Sequence, residues 1–386
     1  MTERSKQQAA ATPTGDPWLL TPGPLTTAPE VKQAMLHDFG SRDGGFIAVN
    51  RRVRDRLVGI VGGAETFTCV PLQGSGTFVV EAMLGTFLPA DGKLLVLING
   101  AYGQRMAKIC RTMGAAHSVL EQPENQPTDV EALDAALADD PGITHVAAVQ
   151  CETTTGILNP IEAIARVVSR HGRHLLIDAM SAFGAIPLDA AELRFDAVAA
   201  SSNKCLEGVP GMGFCIARKA ALEDCAGNCH SLSLDLHEQW RSMEANAQWR
   251  FTPPVQVIAA FDRALDDFEA EGGVAGRGAR YAENCRILVE GMRALGFETL
   301  LPDALQAPII VTFHQPADPR FDFEDFYERL RLRGYVIYPG KLTVAESFRI
   351  GCIGRLGAPE IRGALAAVEA VLEDMGVADR SAAAAA

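Results

Sequence analysis

Short, uniformly apolar runs recur through the middle of this chain: Leu94–Ile98, Val146–Val149, Leu175–Ile177 and Ala197–Ala200. Each is too short for a helix and lacks the polar residues that a strand with one wet face would show, so each reads as a strand buried on both sides. Helix-like segments separate them, over residues 103–114, 130–138 and 161–171. Strands alternating with helices of this length predict an α/β fold, a mainly parallel sheet with helices on both faces. In such sheets ligands bind beyond the carboxyl ends of the strands, so the residues just after each run are where chemistry is expected.

After about Val255 the rhythm changes. Helical patterns cover 255–271 and 277–295, with Gly272 and Gly273 between them. A strand-like piece at 307–313, a helix at 323–333, a strand-like piece at 347–350 and a helix at 358–375 follow, which predicts a smaller α+β domain. The expected organisation is a disordered tail over 1–17, a large domain with an N-terminal arm over 18–270, a small C-terminal domain over 271–377 and a frayed tail over 378–386. No repeat or low-complexity linker separates the domains, so they are expected to pack closely.

Composition narrows the partners. With 48% hydrophobic residues in 386, a sizeable core can be buried. A formal charge of −13 speaks against nucleic acid or an anionic membrane surface, both of which call for a basic face. No run reaches the roughly 18 apolar residues of a membrane helix, and the first residues lack the apolar core of a signal peptide. The 9 cysteines, an odd number spread through apolar stretches, read as reduced, buried thiols of a cytoplasmic protein. Cys225, Cys229 and His230 resemble half of a zinc site, but no second ligand pair has matching spacing, and no metal is expected.

Residues at the expected strand ends carry the functional signal. Asp178 closes the Leu175–Ile177 run, and Lys204 follows the Ala197–Ala200 run after Ser201, Ser202 and Asn203. A lysine at a strand end can lose its proton by desolvation and condense with an aldehyde. An acid on a neighbouring strand end can pair with a pyridinium nitrogen and make that ring an electron sink. Gly74-Ser75-Gly76-Thr77 lies between a strand-like segment and a helix-like one, the setting in which backbone N–H groups cradle a phosphate. Tyr102 supplies an aromatic face after the Leu94 strand, and Thr153 a hydroxyl after the Val146 strand. Singly, each has an ordinary structural explanation: a surface lysine, a capping aspartate, a small turn, a core tyrosine. Together, in this order on βαβ architecture, they are far more specific.

The set Leu20-Thr-Pro-Gly-Pro-Leu25, Gly74–Thr77, Asn99-Gly-Ala-Tyr-Gly103, Cys151-Glu-Thr-Thr-Thr-Gly156, Asp178-Ala-Met-Ser181, Ser202-Asn-Lys-Cys205, Arg250-Phe-Thr-Pro-Pro254 and Phe348-Arg-Ile-Gly351 resembles the 2-aminoethylphosphonate–pyruvate aminotransferases. That family has the fold-type I architecture of pyridoxal 5'-phosphate (PLP) enzymes and stands close to the alanine–glyoxylate and serine–pyruvate aminotransferases. The resemblance implies that Lys204 is the Schiff-base lysine and Asp178 the partner of the pyridine nitrogen. It implies that Ser75, Gly76, Thr77 and Asn203 serve the phosphate, Thr153 the ring oxygen and Tyr102 the ring face. Thr252 is implied to reach the phosphate of a neighbouring subunit, which makes the active unit a homodimer. Arg349 is the implied clamp for the substrate's anionic group. The implied reaction is a ping-pong amino transfer from 2-aminoethylphosphonate to pyruvate, giving phosphonoacetaldehyde and L-alanine. The alternative is an alanine– or serine–glyoxylate aminotransferase on the same scaffold. A desulfurase-like lyase is less favoured, because a histidine is expected before the lysine and Asn203 stands there. A non-catalytic PLP-binding regulator would need a DNA-binding module ahead of Leu19. Segment 38–43 falls at a variable substrate loop of the family and carries no clear motif.

Overall fold

The computed structural model describes residues 10–340 and 345–382. At its centre is a 7-stranded sheet in the order Phe67–Gln73, Met212–Arg218, Ala197–Ser201, His174–Asp178, His145–Val149, Leu94–Ile98, His117–Glu121. The strands anticipated at Leu94, Val146, Leu175 and Ala197 pair in parallel. Their side chains alternate between two separate cores. Leu95, Leu97, Val146, Ala148, Ile177 and Val198 face one layer of helices. Leu94, Val96, Ala147, Val149, Leu176 and Ala199 face the other. A strand with two dry faces has no reason to alternate polar with apolar residues, which is why these runs are continuous.

Met212–Arg218 is antiparallel to both of its neighbours. It begins within the stretch Gly208-Val-Pro-Gly-Met-Gly213, whose glycines and proline look like a turn rather than a strand. A parallel crossover needs about a dozen residues or more, usually with a helix; the short return from Ser201 to Met212 holds no helix and forces an antiparallel pairing. The helix Gly44–Ile60 also escapes the sequence reading. It opens on two glycines and carries the β-branched Ile47, Val49, Val53, Val58 and Ile60, so its propensity is weak. Its buried residues Phe46, Asn50, Val53 and Leu57 nevertheless keep helical spacing, and Asp43 caps it by accepting from the Gly45 N–H at 2.8 Å.

The smaller sheet orders Ile310–His314, Ser347–Gly351 and Tyr338–Pro339, all antiparallel, and the helices Gly273–Ala294, Phe323–Leu332 and Ala358–Met375 join it in one core. Phe348 is the hub of that core, with ring centres of Phe297, Phe313 and Phe326 at 5.6, 5.8 and 5.5 Å. The N-terminal arm joins the two parts of the molecule: Trp18–Leu19 pairs in parallel with Tyr335–Val336, and Gly23 lies against Lys204.

The ends differ from the expected tails. Ala10 N–H donates to the Arg333 carbonyl, and Asp16 pairs with Lys32 at 2.8 Å, so residues 10–17 are held on the surface. Asp318 accepts from the N–H groups of Ala378 and Asp379, and Ala382 bridges Pro316, which holds 378–382 as well. A short polar stretch gives no signal of such docking, because its partners lie far away in sequence. The rest of both expected tails, 1–9 and 383–386, lies outside the described residues.

Candidate active site

The large sheet delivers its carboxyl ends to one cavity of about 500 Å³. At the end of strand Phe67–Gln73 the chain turns through Gly74, whose φ of +122° suits only glycine, and its N–H donates to the Gly211 carbonyl at 2.9 Å. Ser75 then caps the helix Gly76–Phe87 with extended backbone. A Cβ at Gly76 would run into the Met180 sulfur. The first N–H groups of this helix have no carbonyl partner within it and sit at its positive end, which makes an anion site.

Asp178 closes the strand His174–Asp178 and is 4% exposed. Burial pushes its carboxyl up to about 6; the like charge of Glu152 adds to this, while the Met180 N–H at 3.0 Å and the charges of Arg105 and Lys204 act against it. The site thus holds a buried acid whose charged form is under-compensated.

Lys204 follows strand Ala197–Ser201 in a tight turn. Ser202 Oγ donates to the carbonyls of Val209 and Met212, and Glu207 N–H donates to the Lys204 carbonyl at 2.8 Å. Lys204 Nζ donates to the carbonyls of Pro22 at 2.7 Å and Gly23 at 3.0 Å. Behind the lysine, Glu207 adopts a left-handed φ of +56°. Its Oε1 accepts from Tyr281 at 2.6 Å and from Arg280 at 2.7 Å, and fully buried Arg277 bonds the Cys205 carbonyl. This network ties the lysine turn to the helix Gly273–Ala294. Truncating one partner of such a buried charge set typically costs about 3–5 kcal/mol, because the others are left without compensation.

Tyr102 stands in the first turn of helix Ala101–Met113, whose cap residue Gly100 has no side chain. Distant residues supply the cap. Glu152 Oε2 accepts from the Tyr102 N–H at 3.1 Å, and Thr154 Oγ1 accepts from the Ala101 N–H at 2.9 Å. Glu152 is fully buried; burial raises its pKa, and its hydrogen bonds from Thr154, Tyr102 and Gly103 oppose that rise. The buried acid therefore sets where this helix starts and where the Tyr102 ring lies.

Of the residues singled out from sequence, Ser75, Gly76, Thr77, Tyr102, Asp178, Asn203 and Lys204 line the one cavity. Thr153, Arg349 and Thr252 are outside its lining. Thr153 is 3% exposed, and its carbonyl accepts from Arg349 Nη1 at 2.8 Å. Arg349 is 5% exposed, donates through Nε to the Pro339 carbonyl at 3.0 Å, and has its pKa lowered by burial. Among the described residues it forms no ion pair, and these hydrogen bonds go to backbone carbonyls. Thr252 is exposed, next to Phe251, which is 47% exposed under the Arg250 guanidinium. Arg105, Met180, Ser201 and the Gly23–Pro24 arm also line the cavity; Arg105 was missed, and the others stood in segments read from the sequence without a role assigned to them. Arg105 follows Tyr102 by one helical turn and carries its guanidinium over that ring. The arm comes from the far end of the chain, and its Thr-Pro-Gly-Pro motif does not say where it docks.

These groups fit PLP. Asp178 is a buried acid suited to a protonated ring nitrogen, a helix N-terminus with serine and threonine suits the phosphate, and the Ser201 hydroxyl lining the cavity has no hydrogen-bond partner among the described residues. Cys225 and Cys229 instead engage backbone carbonyls, and no cluster of His, Cys, Asp or Glu able to hold a metal occurs among the described residues.

Comparison with known proteins agrees with the geometry. The aminotransferase class-V family profile matches residues 51–338. A 2-aminoethylphosphonate–pyruvate transaminase from Pseudomonas putida is 56% identical over 94% of this chain and 99% of its own length. Its Pseudomonas aeruginosa counterpart is 57% identical over 94% and 97%. Among solved structures, pyridoxamine–pyruvate aminotransferase from Mesorhizobium loti superposes with a TM-score of 0.86 at 25% identity, covering 95% of each chain. Alanine–glyoxylate aminotransferase from Nostoc sp. has the same fold, with a TM-score of 0.87 at 23% identity over 96% of this chain and 99% of its own. The chain belongs to the class-V aminotransferase family and, within it, to the 2-aminoethylphosphonate–pyruvate transaminases.

Proposed function

We propose that this protein transfers the amino group of 2-aminoethylphosphonate to pyruvate, releasing phosphonoacetaldehyde and L-alanine. The observation that carries the reading is the convergence of Lys204, Asp178 and the Gly76 helix N-terminus on one cavity, in a chain 57% identical to a transaminase of that name. PLP, when bound, supplies a carbonyl for the amine and a ring that accepts the electrons released at carbon. Ser75, Gly76, Thr77 and Asn203 would hold its phosphate, Tyr102 its ring face, Thr153 its ring oxygen and Asp178 its nitrogen. Lys204 Nζ takes the proton from the substrate carbon that bears the amine and returns one in the pyruvate half-reaction. Arg349 orients both substrates: its guanidinium fork matches two oxygens of a phosphonate or of a carboxylate. The arm at Pro22–Pro24 shields the lysine from water.

An amine-donor panel with pyruvate, read as alanine formed, tests this. Turnover with 2-aminoethylphosphonate should exceed that with serine by roughly 10²-fold or more, since a site built for one polar group rejects analogues lacking it. Faster alanine–glyoxylate or serine–glyoxylate exchange would move the protein to the neighbouring activity. Arg349→Ala should raise KM for both the aminophosphonate and pyruvate, and Arg349→Lys should recover part of each. A defect confined to one substrate would mean separate anion sites.

The active unit is a homodimer in this reading. Exposed Thr252, with Phe251 beside it, supports a role across an interface, where Thr252 would donate to the partner subunit's cofactor phosphate. Thr252→Ala should weaken PLP retention while the protein still sediments as a dimer; unchanged retention would refute the role. Cytoplasmic residence is supported by 9 unpaired cysteines, of which only Cys229 is more than marginally exposed. Among the described residues no helix is long and apolar enough to cross a membrane.

A further inference from the structure

Arg105 lines the cavity, yet no role above uses it. It lies one turn after Tyr102 on the same helix, its guanidinium carbon 4.9 Å from the centre of that ring. Its Nη1 donates to Thr77 Oγ1 at 3.1 Å, which brings the charge to the first turn of the Gly76–Phe87 helix. Asp178 feels that charge, but no carboxylate among the described residues forms an ion pair with Arg105.

A second, independent observation lies at the end of strand Ala197–Ser201. Ser201 is 3% exposed, lines the same cavity, and its hydroxyl has no hydrogen-bond partner among the described residues. Ala197 and Ala199 of this strand share a core with Val79 and Val80 of the Gly76–Phe87 helix. Alternate residues of a strand share a face, so Ser201 is directed toward the same helix end. An unpartnered buried hydroxyl costs about 1–3 kcal/mol unless a ligand engages it.

We propose that Arg105 and Ser201, with Ser75, Gly76 and Thr77, form the pocket that takes the cofactor's phosphate. The inference rests on PLP being the cofactor. A phosphate ester carries about −1.5 to −2 charges at neutral pH. A helix N-terminus offers the equivalent of about +0.5, and hydroxyls add dipoles but no net charge. Lys204 cannot make up the difference, because it must be able to lose its proton to do its work. A guanidinium brings a full positive charge, and its planar fork matches two phosphate oxygens. Tyr102 holds the guanidinium in place, so little side-chain freedom is lost when the anion binds.

The test compares PLP with pyridoxal, which lacks only the phosphate. Protein stripped of cofactor is titrated with each compound, and the absorbance of the bound chromophore is followed for the unmodified chain, Arg105→Ala, Arg105→Lys and Ser201→Ala. Arg105→Ala should lose roughly 10- to 100-fold in affinity for PLP, the range for a hydrogen bond to a charged group, with affinity for pyridoxal unchanged. Arg105→Lys should recover part of the preference, and Ser201→Ala should lose less in the same sense. Arg105→Gln keeps the bulk without the charge and serves if the alanine variant does not fold. Equal weakening of both compounds would show that Arg105 acts through Tyr102 on the ring, and would overturn the assignment. So would intact PLP affinity with a raised KM for the aminophosphonate. Failure of the unmodified protein to bind PLP at all would instead overturn the cofactor reading beneath it.

Discussion

Borohydride reduction of the PLP-loaded protein is expected to fix the cofactor on Lys204 and on no other lysine. Lys204 Nζ sits at the carboxyl end of a central strand, among the residues of the cavity that holds Asp178 and the Gly76 helix N-terminus. The arm reaches across to it, with the Pro22 and Gly23 carbonyls accepting from Nζ. A Cβ at Gly23 would meet the lysine side chain at 2.7 Å, so the fit between arm and lysine depends on a residue without one. Lys204→Ala should lose roughly 10⁴-fold or more in turnover, the upper range for removal of a positioned acid–base group. It should still bind the cofactor through the phosphate pocket, but borohydride should then label nothing. Peptide mapping after reduction checks both statements, and a modified peptide containing any other lysine would sink the assignment.

The second large effect concerns Asp178 and runs in opposite directions for activity and stability. Asp178→Asn should retain PLP and lose roughly 10²-fold or more in turnover, about 3 kcal/mol in barrier, because an amide cannot keep a ring nitrogen protonated. In the cofactor-free protein the same change should stabilise the fold. A carboxyl that ionises near 6 when folded and near 3.8 when unfolded is held protonated longer by the folded state. Between these values the folded chain binds more protons, so stability falls as pH rises through the window and stays lower above it. The penalty on the charged form is about 3 kcal/mol. Asparagine never ionises, so its advantage over aspartate should be absent near pH 4, grow up to about pH 6 and stay level at pH 7. Thermal melts of both cofactor-free proteins across this range measure it. An advantage independent of pH would show that burial of the charge is not the cause. Bound PLP should remove the advantage, because a ring cation compensates the carboxylate in the natural site.

Much of the architecture was legible in the chain itself. Continuous apolar runs such as Leu94–Ile98 can only be strands with two dry faces, and helices between them impose parallel pairing. From that rhythm came the rule that residues after the runs carry chemistry, and it led to Ser75, Asp178 and Lys204, to which the family resemblance added Asn203; the fold brings all four to one cavity. Local periodicity carries this information because burial repeats along each element. Tertiary structure alone decided the rest. The antiparallel strand Met212–Arg218 depends on how short its connection is, and the helix Gly44–Ile60 depends on a packing face that outweighs its glycines and β-branched residues. Arg105 gains its meaning only beside Thr77, Glu152 only as the cap of a helix that starts 51 positions earlier, and Pro22 and Gly23 only where the arm crosses Lys204. A sequence reports the environment of a residue through its neighbours in the chain. Contacts between residues far apart in sequence leave no local trace, because any residue type of suitable size and polarity can make them.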